Sequence, residues 1–231
     1  MKKIAILQSN YIPWKGYFDL INMVDEFILY DDVQYTKNDW RNRNKIKTSQ
    51  GIKWLTIPVY QKKLEQKIKD TKINDKKWNI KHWKNISQNY VKAEYFKDFK
   101  DMFEELYLNC DEEYLSQINY KFIMAINQIL GIKTKIRFSS EFNLKTQQGK
   151  TEKLLDICKY CNANIYISGP AAKGYFDENL ANKNNIKVEW MDYSGYKEYK
   201  QLYPPFEHGV TILDLIFNTG PNVKKYLKKG V

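Results

Sequence analysis

Cysteine, histidine and arginine are scarce in this chain of 231 residues, which holds three, two and three of them. Cys110, Cys158 and Cys161 are too few for a disulfide framework. Cys158 and Cys161 have the spacing of a metal or redox pair. Zinc would need two further ligands, and His82 and His208 are the only imidazoles. Leu154, Leu155 and Ile157 set the pair in a helical apolar stripe, so both thiols are expected as packed helix residues, with no metal. Long apolar runs are also lacking; none approaches the ~18–20 residues of a membrane span. The opening Met1, Lys2, Lys3 leads into four apolar residues and then Gln8, too short a run for a signal peptide. The chain is therefore expected in the cytoplasm.

The shortage of arginine bears on partners. A net charge of +11 first suggests nucleic acid. Yet 35 of the 38 basic residues are lysine, and arginine is the usual reader of phosphate and base edges. The lysines are dispersed among acids, as in Lys67, Lys69 and Asp70, the pattern of a solvated surface. This argues against nucleic acid and leaves attraction to anionic nucleotides or peripheral contact with an anionic membrane. Missing too are the nucleophile elbow G-x-S-x-G, the Walker loop and G-x-G-x-x-G, which disfavours elbow hydrolases, P-loop kinases and Rossmann dinucleotide enzymes. No motif names a cofactor or an oligomeric state.

What is present alternates between strand and helix signals. Residues 2–8 form a short apolar run with β-branched members, a buried strand. Tyr17, Leu20, Ile21 and Val24 follow at helical spacing, and residues 26–30 read as a second strand. Strand, helix, strand within thirty residues suits a parallel crossover. Residues 54–59 read as a third strand, with a further strand near Ile68. Helices are expected over 76–90, 93–108 and 112–130, the last stopped by Gly131. Strands follow at 132–139, 164–168 and 186–190, and helices from Thr151 to about Cys161, near 175–182, at 211–218 and at 222–228. The expected fold is α/β: a three-layer sandwich around a mostly parallel sheet, one domain over 1–231 with a mainly helical subdomain inserted at about 76–131.

In open α/β sheets ligands sit beyond the C-terminal ends of the strands. Three strand ends carry unusual residues: Gln8, Ser9, Asn10, Tyr11 and Trp14 after the first, Asp31, Asp32 and Gln34 after the second, and Ser168 and Gly169, with Tyr175 nearby, after a later one. Each has an ordinary reading as a helix cap or turn; their recurrence at strand ends points to a site. The sharpest local signal is Trp40, Arg41, Asn42, Arg43 and Asn44, with two of the three arginines beside a Trp and two amides. Guanidinium forks hold phosphate or carboxylate, and a Trp face packs on a sugar or base. Chance clustering on a surface hairpin arm is the alternative. His82, on a predicted helix, and His208 are candidate general bases, and each is at least as well read as structural.

Together the stretches ILQSNYIPWKGY (residues 6–17), YDDVQY (30–35), WRNRNKIK (40–47), WLTIPV (54–59), ISGPAA (167–172, with Tyr175) and TILDLIFNTG (211–220) resemble the WbqC-like protein family in order along nearly the whole chain. Thr211 stands where the family often has Ser, which keeps the hydroxyl. Leu7, Gln8 and Ser9 stand where many members read His-Gln-Pro, so no mechanism rests on a histidine there. The resemblance implies a role in lipopolysaccharide O-antigen or related surface-glycan biosynthesis, with transfer of a glycyl or other aminoacyl group to a sugar.

The leading expectation is a transferase that moves a small acyl or aminoacyl group from its donor onto a nucleotide-linked amino sugar. Arg41 and Arg43 would clamp phosphate, and Trp14, Trp40 or Tyr11 would stack on sugar or base. Asp31, Asp32 or His82, with His208 as a further candidate, would accept the amine proton. Gln8, Asn10 and Ser168 would hydrogen-bond the substrate, with Ser9, Gln34, Asn42, Asn44, Gly169 and Tyr175 around them. The rivals are an ATP-dependent ligase or nucleotidyl-transfer-type enzyme joining an amino acid to a sugar, and a non-enzymatic binder of nucleic acid or an assembly partner.

Overall fold

The computed structural model describes residues 1–144 and 149–228. Five strands form one all-parallel sheet: β1 (Lys3–Leu7), β2 (Glu26–Leu29), β5 (Lys135–Phe138), β6 (Ile165–Ser168) and β7 (Lys187–Trp190), in the order β5-β2-β1-β6-β7. The chain winds outward from β1 in one direction and then returns to build the other half. The direction reverses between β1 and β6, and their C-terminal ends flank a switch-point crevice.

Side-chain alternation along the strands sorts the layers. Ala5, Phe27, Leu29, Ile165 and Ile167 face one core. Ile4, Ile6, Ile28 and Tyr166 face a second, smaller one. The smaller core is covered by α5 (Lys150–Tyr160) and α6 (Glu178–Lys183). Cys158 and Cys161 are both buried in it, and burial pushes the Cys158 thiol up to about 12. The larger core is covered by α1 (Lys15–Asn22), α2 (Trp78–Tyr90), α3 (Phe96–Leu108), α4 (Leu115–Leu130) and α7 (Ile212–Thr219). Phe217 of α7 meets the rings of Tyr90, Phe96 and Phe103 with centroids 5.2–5.4 Å apart, so the inserted helices share the core of the sheet. Gly131 takes a left-handed conformation and ends α4. Among the described residues no helix is long and apolar enough to cross a membrane.

Three expected elements come out differently. The strand expected at 54–59 is β4 (Gly51–Thr56), and it lies outside the main sheet, paired antiparallel with β3 (Arg43–Thr48) in a separate arm. Only Ser49 and Gln50 separate the two strands, enough for a hairpin and far too few for a parallel crossover. Gly51 supplies the positive φ, 97°, at the turn. The strand near Ile68 is a 3-10 turn, Ile68–Asp70, and the last expected helix is a 3-10 segment, Gly220–Tyr226. Its start is shaped by Gly220, where a Cβ would collide with the Tyr95 ring, and by Pro221.

Candidate functional site

Beyond β1 the chain forms a rim loop that the rest of the molecule holds tightly. Ile12 has φ of 35°, an unfavourable value for a β-branched residue. The Asn44 side-chain amide holds that bend by donating to the carbonyls of Tyr11 at 3.0 Å and Ile12 at 2.9 Å. The Tyr11 amide donates to the Trp40 carbonyl at 3.0 Å, and the Ile212 amide to the Pro13 carbonyl at 2.9 Å. The loop is thus fastened to the root of the arm on one side and to the start of α7 on the other.

A pocket of about 290 Å³ opens between these three parts, lined by Asn10, Pro13, Trp14, Trp40, Asn44 and Gly209. Four of the six are residues that the sequence singles out. Trp14 folds over Gly16, where a Cβ would strike the indole, which accounts for glycine there. Trp14 also meets the rings of Tyr193 at 5.3 Å and Tyr196 at 5.6 Å, tilted and edge-on. Tyr193 in turn lies beside Gly169, so the end of β6 reaches Trp14 through one intervening tyrosine. Ser168 is buried and accepts from the Tyr166 hydroxyl at 3.1 Å.

Beneath the pocket lies a buried polar network. Asp31, at the end of β2, accepts from the Ser9 amide at 2.8 Å and from the Ser116 hydroxyl. The Asn119 amide donates to the Ser9 hydroxyl and to the Arg41 carbonyl, each at 2.9 Å. The Arg41 guanidinium donates to the Asn10 side chain and lies 3.5 Å from Asp39. Burial pushes the Asp31 carboxyl above its usual range against the pull of these donors. Asp31 therefore positions the rim loop and has no open path to a substrate amine. Asp32 points the other way, to the edge of the rim near β5. It accepts from Ser139 at 2.7 Å and pairs with Lys69 at 2.6 Å.

The two histidines part company. His82 is buried, and its Nε2 lies 3.1 Å from the Thr56 carbonyl, an atom that only accepts. Nε2 therefore carries the hydrogen, and Nδ1 accepts from the Tyr11 hydroxyl at 2.9 Å. Tyr107 completes the chain by donating to Tyr11 at 2.8 Å. Burial lowers the His82 pKa to about 4. Both rings are thus hydrogen-bonded inside the helical layer, and neither lines the pocket. His208 is exposed, immediately before the pocket residue Gly209, with its ring 4.6 Å from Phe206. Partial burial and the charge of Lys15 lower its pKa, which favours a neutral imidazole near pH 7.

The remaining predicted residues scatter around this centre. Gln8 uses its carbonyl to accept from Tyr17 at 3.0 Å. Gln34 donates to the Leu64 carbonyl at 2.8 Å, outside the pocket lining. Asn42 is buried and donates to the Ile57 carbonyl at 2.9 Å. Arg43 turns onto the Trp54 ring, with its guanidinium carbon 4.2 Å from the centroid, so the two arginines do not form one clamp. Tyr175 stands exposed past β6, with the Lys150 ammonium 5.4 Å from its centroid.

The profile of the WbqC-like protein family matches residues 8–226, which includes the rim loop, the arm and the polar network. The chain belongs to the WbqC-like protein family. It is 48% identical over 229 residues to the uncharacterized protein Rv1507c of Mycobacterium tuberculosis, covering 99% of this chain and 98% of that protein. No solved structure matches the chain.

Several residues of this WbqC-like site escape a reading by strand ends. Ser116 and Asn119 lie on α4, more than one hundred residues from the rim loop in sequence. A signal was there: Asn119 interrupts the apolar stripe of Leu115, Ile118 and Phe122, and a polar residue in a buried stripe needs a partner. Lys15 is buried against Tyr196 and Tyr199, with its ammonium 4.8 and 5.5 Å from their centroids, and burial lowers its pKa to about 8. Asp214, also buried, accepts from Tyr90, Tyr199 and Gln201 at 2.7–2.9 Å and so anchors the segment that carries His208.

Proposed function

We propose that this WbqC-like protein is a cytoplasmic group transferase of O-antigen or related surface-polysaccharide biosynthesis. It moves a small acyl or aminoacyl group, such as glycyl, onto the amino group of a nucleotide-linked amino sugar. The observation that carries the reading is the pocket at the end of β1. Two indole faces, Trp14 and Trp40, and two carboxamides, Asn10 and Asn44, meet in a space of about 290 Å³. Indole faces pack on the C–H groups of a pyranose, and the Asn10 side-chain amide can donate to its hydroxyls, while Asn44, whose amide hydrogens go to the Tyr11 and Ile12 carbonyls, shapes the wall. The crevice occupies the place where parallel α/β sheets hold their ligands.

The transfer needs a free amine. Its lone pair attacks the carbonyl carbon of the donor, the new C–N bond forms, and the bond to the donor's leaving group breaks. The amine proton passes to a base at the mouth of the pocket. His208 fits that task because its imidazole is exposed, adjoins Gly209 and has a lowered pKa. A positioned base typically contributes ~10²–10⁴-fold. Asp32 is the second candidate, but its carboxylate is already paired with Lys69.

The test is to incubate the protein with UDP-, dTDP- and GDP-linked amino sugars and candidate acyl donors, following the sugar by mass. A mass increase on the amino sugar, lost in Trp14→Leu and reduced about a hundredfold in His208→Gln, supports the reading. Absence of binding by every nucleotide sugar at millimolar concentration refutes it.

A further inference from the structure

The arm carries a second cluster that the pocket does not use. Trp40 lines the pocket, and its ring also meets that of Trp54 with centroids 5.3 Å apart. Both indoles remain 39% exposed, although large aromatic rings are normally covered. Lys45 faces both, its ammonium 5.7 Å from Trp40 and 5.3 Å from Trp54, and the Arg43 guanidinium lies 4.2 Å from Trp54. Among the described residues neither cation has an ion-pair partner. The other two arginines do: Arg41 reaches Asp39, and Arg137 bridges Glu26 and Glu141.

The β-hairpin explains why the group is held in place. Lys45 and Trp54 are directly opposed in register, and Arg43 and Lys45 are two residues apart on the same face. The arm is itself fixed to the body, because the Thr211 amide donates to the Lys45 carbonyl at 2.9 Å. The surface thus offers two aromatic faces and two cations without carboxylate partners, in direct continuity with the sugar-sized pocket.

We propose that this face of the arm is the seat of a nucleoside diphosphate, with Trp54 and Trp40 taking the base and Lys45 and Arg43 the phosphates. The inference rests on the transferase reading and deepens it. The ligand is divided at Trp40, the sugar in the pocket and the nucleotide along the hairpin, and Arg41 belongs to the scaffold. A single pair of cations suits a diphosphate better than a nucleic-acid strand, which needs a row of cations along its backbone.

Binding to the full chain, followed by tryptophan fluorescence and calorimetry, tests this. The probes are UDP, dTDP, GDP, inorganic pyrophosphate, free glucosamine and a single-stranded oligonucleotide. At least one nucleoside diphosphate is expected to bind, more weakly as salt rises. Lys45→Gln and Trp54→Leu each weaken it about tenfold, as expected for one lost charge-assisted or stacking contact. Both positions are on the surface, and an unchanged thermal midpoint establishes that the variants fold. Trp14→Leu is expected to weaken nucleotide sugars while leaving the bare nucleoside diphosphate as in the wild type. The seat is overturned if no nucleoside diphosphate binds, if Lys45→Gln and Trp54→Leu bind as the wild type, or if the oligonucleotide binds more tightly than every nucleotide. Wild-type transfer that persists with unchanged Michaelis constants in the arm variants removes the seat and leaves the transferase intact. Failure of all nucleotide sugars to bind removes both.

Discussion

Lowering the pH from 7 to 4 withdraws a specific part of this protein's stability through His82. The imidazole is buried, donates to the Thr56 carbonyl and accepts from Tyr11, so the fold holds it neutral. Its pKa falls from the ordinary 6.5 to about 4 because burial disfavours the charged ring. In the unfolded chain the same ring takes a proton near pH 6.5. Between those two values the unfolded state binds more protons, and stability declines as pH falls. The fall of roughly 2.5 in pKa, at about 1.36 kcal/mol per pH unit, gives about 3 kcal/mol. The contribution is intact above about pH 6.5 and spent near pH 4. Urea unfolding at half-unit steps of pH, for wild type and His82→Gln, measures it. Burial also raises the carboxyl pKa of Asp19, Asp31 and Asp214, but these groups are common to both proteins and cancel in the difference. The gap between the two proteins is expected to shrink by about 3 kcal/mol from pH 7 to 4. A gap that stays constant refutes the buried, neutral assignment, as does a His82 ring that titrates near 6.5 by NMR.

Other expectations follow from named contacts. Asn119→Ala removes donors to the Ser9 hydroxyl and the Arg41 carbonyl in a buried setting; thermal or urea unfolding should show a loss of about 2–3 kcal/mol. Gly16→Ala forces the Trp14 indole out of its place; ligand affinity should fall about tenfold or more with a shifted tryptophan emission, while far-ultraviolet dichroism is retained. Asp31→Ala leaves the Ser9 amide and Ser116 hydroxyl unpaired, an expected loss of about 2–4 kcal/mol in urea unfolding, whereas Asp32→Ala, nearer the surface, should cost under about 1 kcal/mol.

Much of the architecture is readable along the chain because it depends on local pattern. The period-2 alternation of Ile4, Ala5, Ile6 and of Phe27, Ile28, Leu29 assigns each side chain to a layer without knowledge of its partner. The rim loop is equally legible, since Pro13 and the glycine at position 16 punctuate it and polar residues crowd the strand end. Four of the six pocket residues, Asn10, Trp14, Trp40 and Asn44, are legible in the sequence, and so is membership of the WbqC-like family.

What tertiary structure alone decided is the direction and partnership of each polar side chain. Asp31 and Asp32 are adjacent in sequence, yet one turns inward to Ser9 and Ser116 and the other outward to Lys69. Arg41 and Arg43 share a strand root, but one braces Asn10 and the other lies on Trp54. Whether a histidine is a base or a strut depends on what lies across from it, and Tyr11 and Thr56 are 71 and 26 residues away from His82. Local composition sets which groups are available. Desolvation and long-range pairing, which exist only once the chain is folded, determine which of them stay free to meet a ligand.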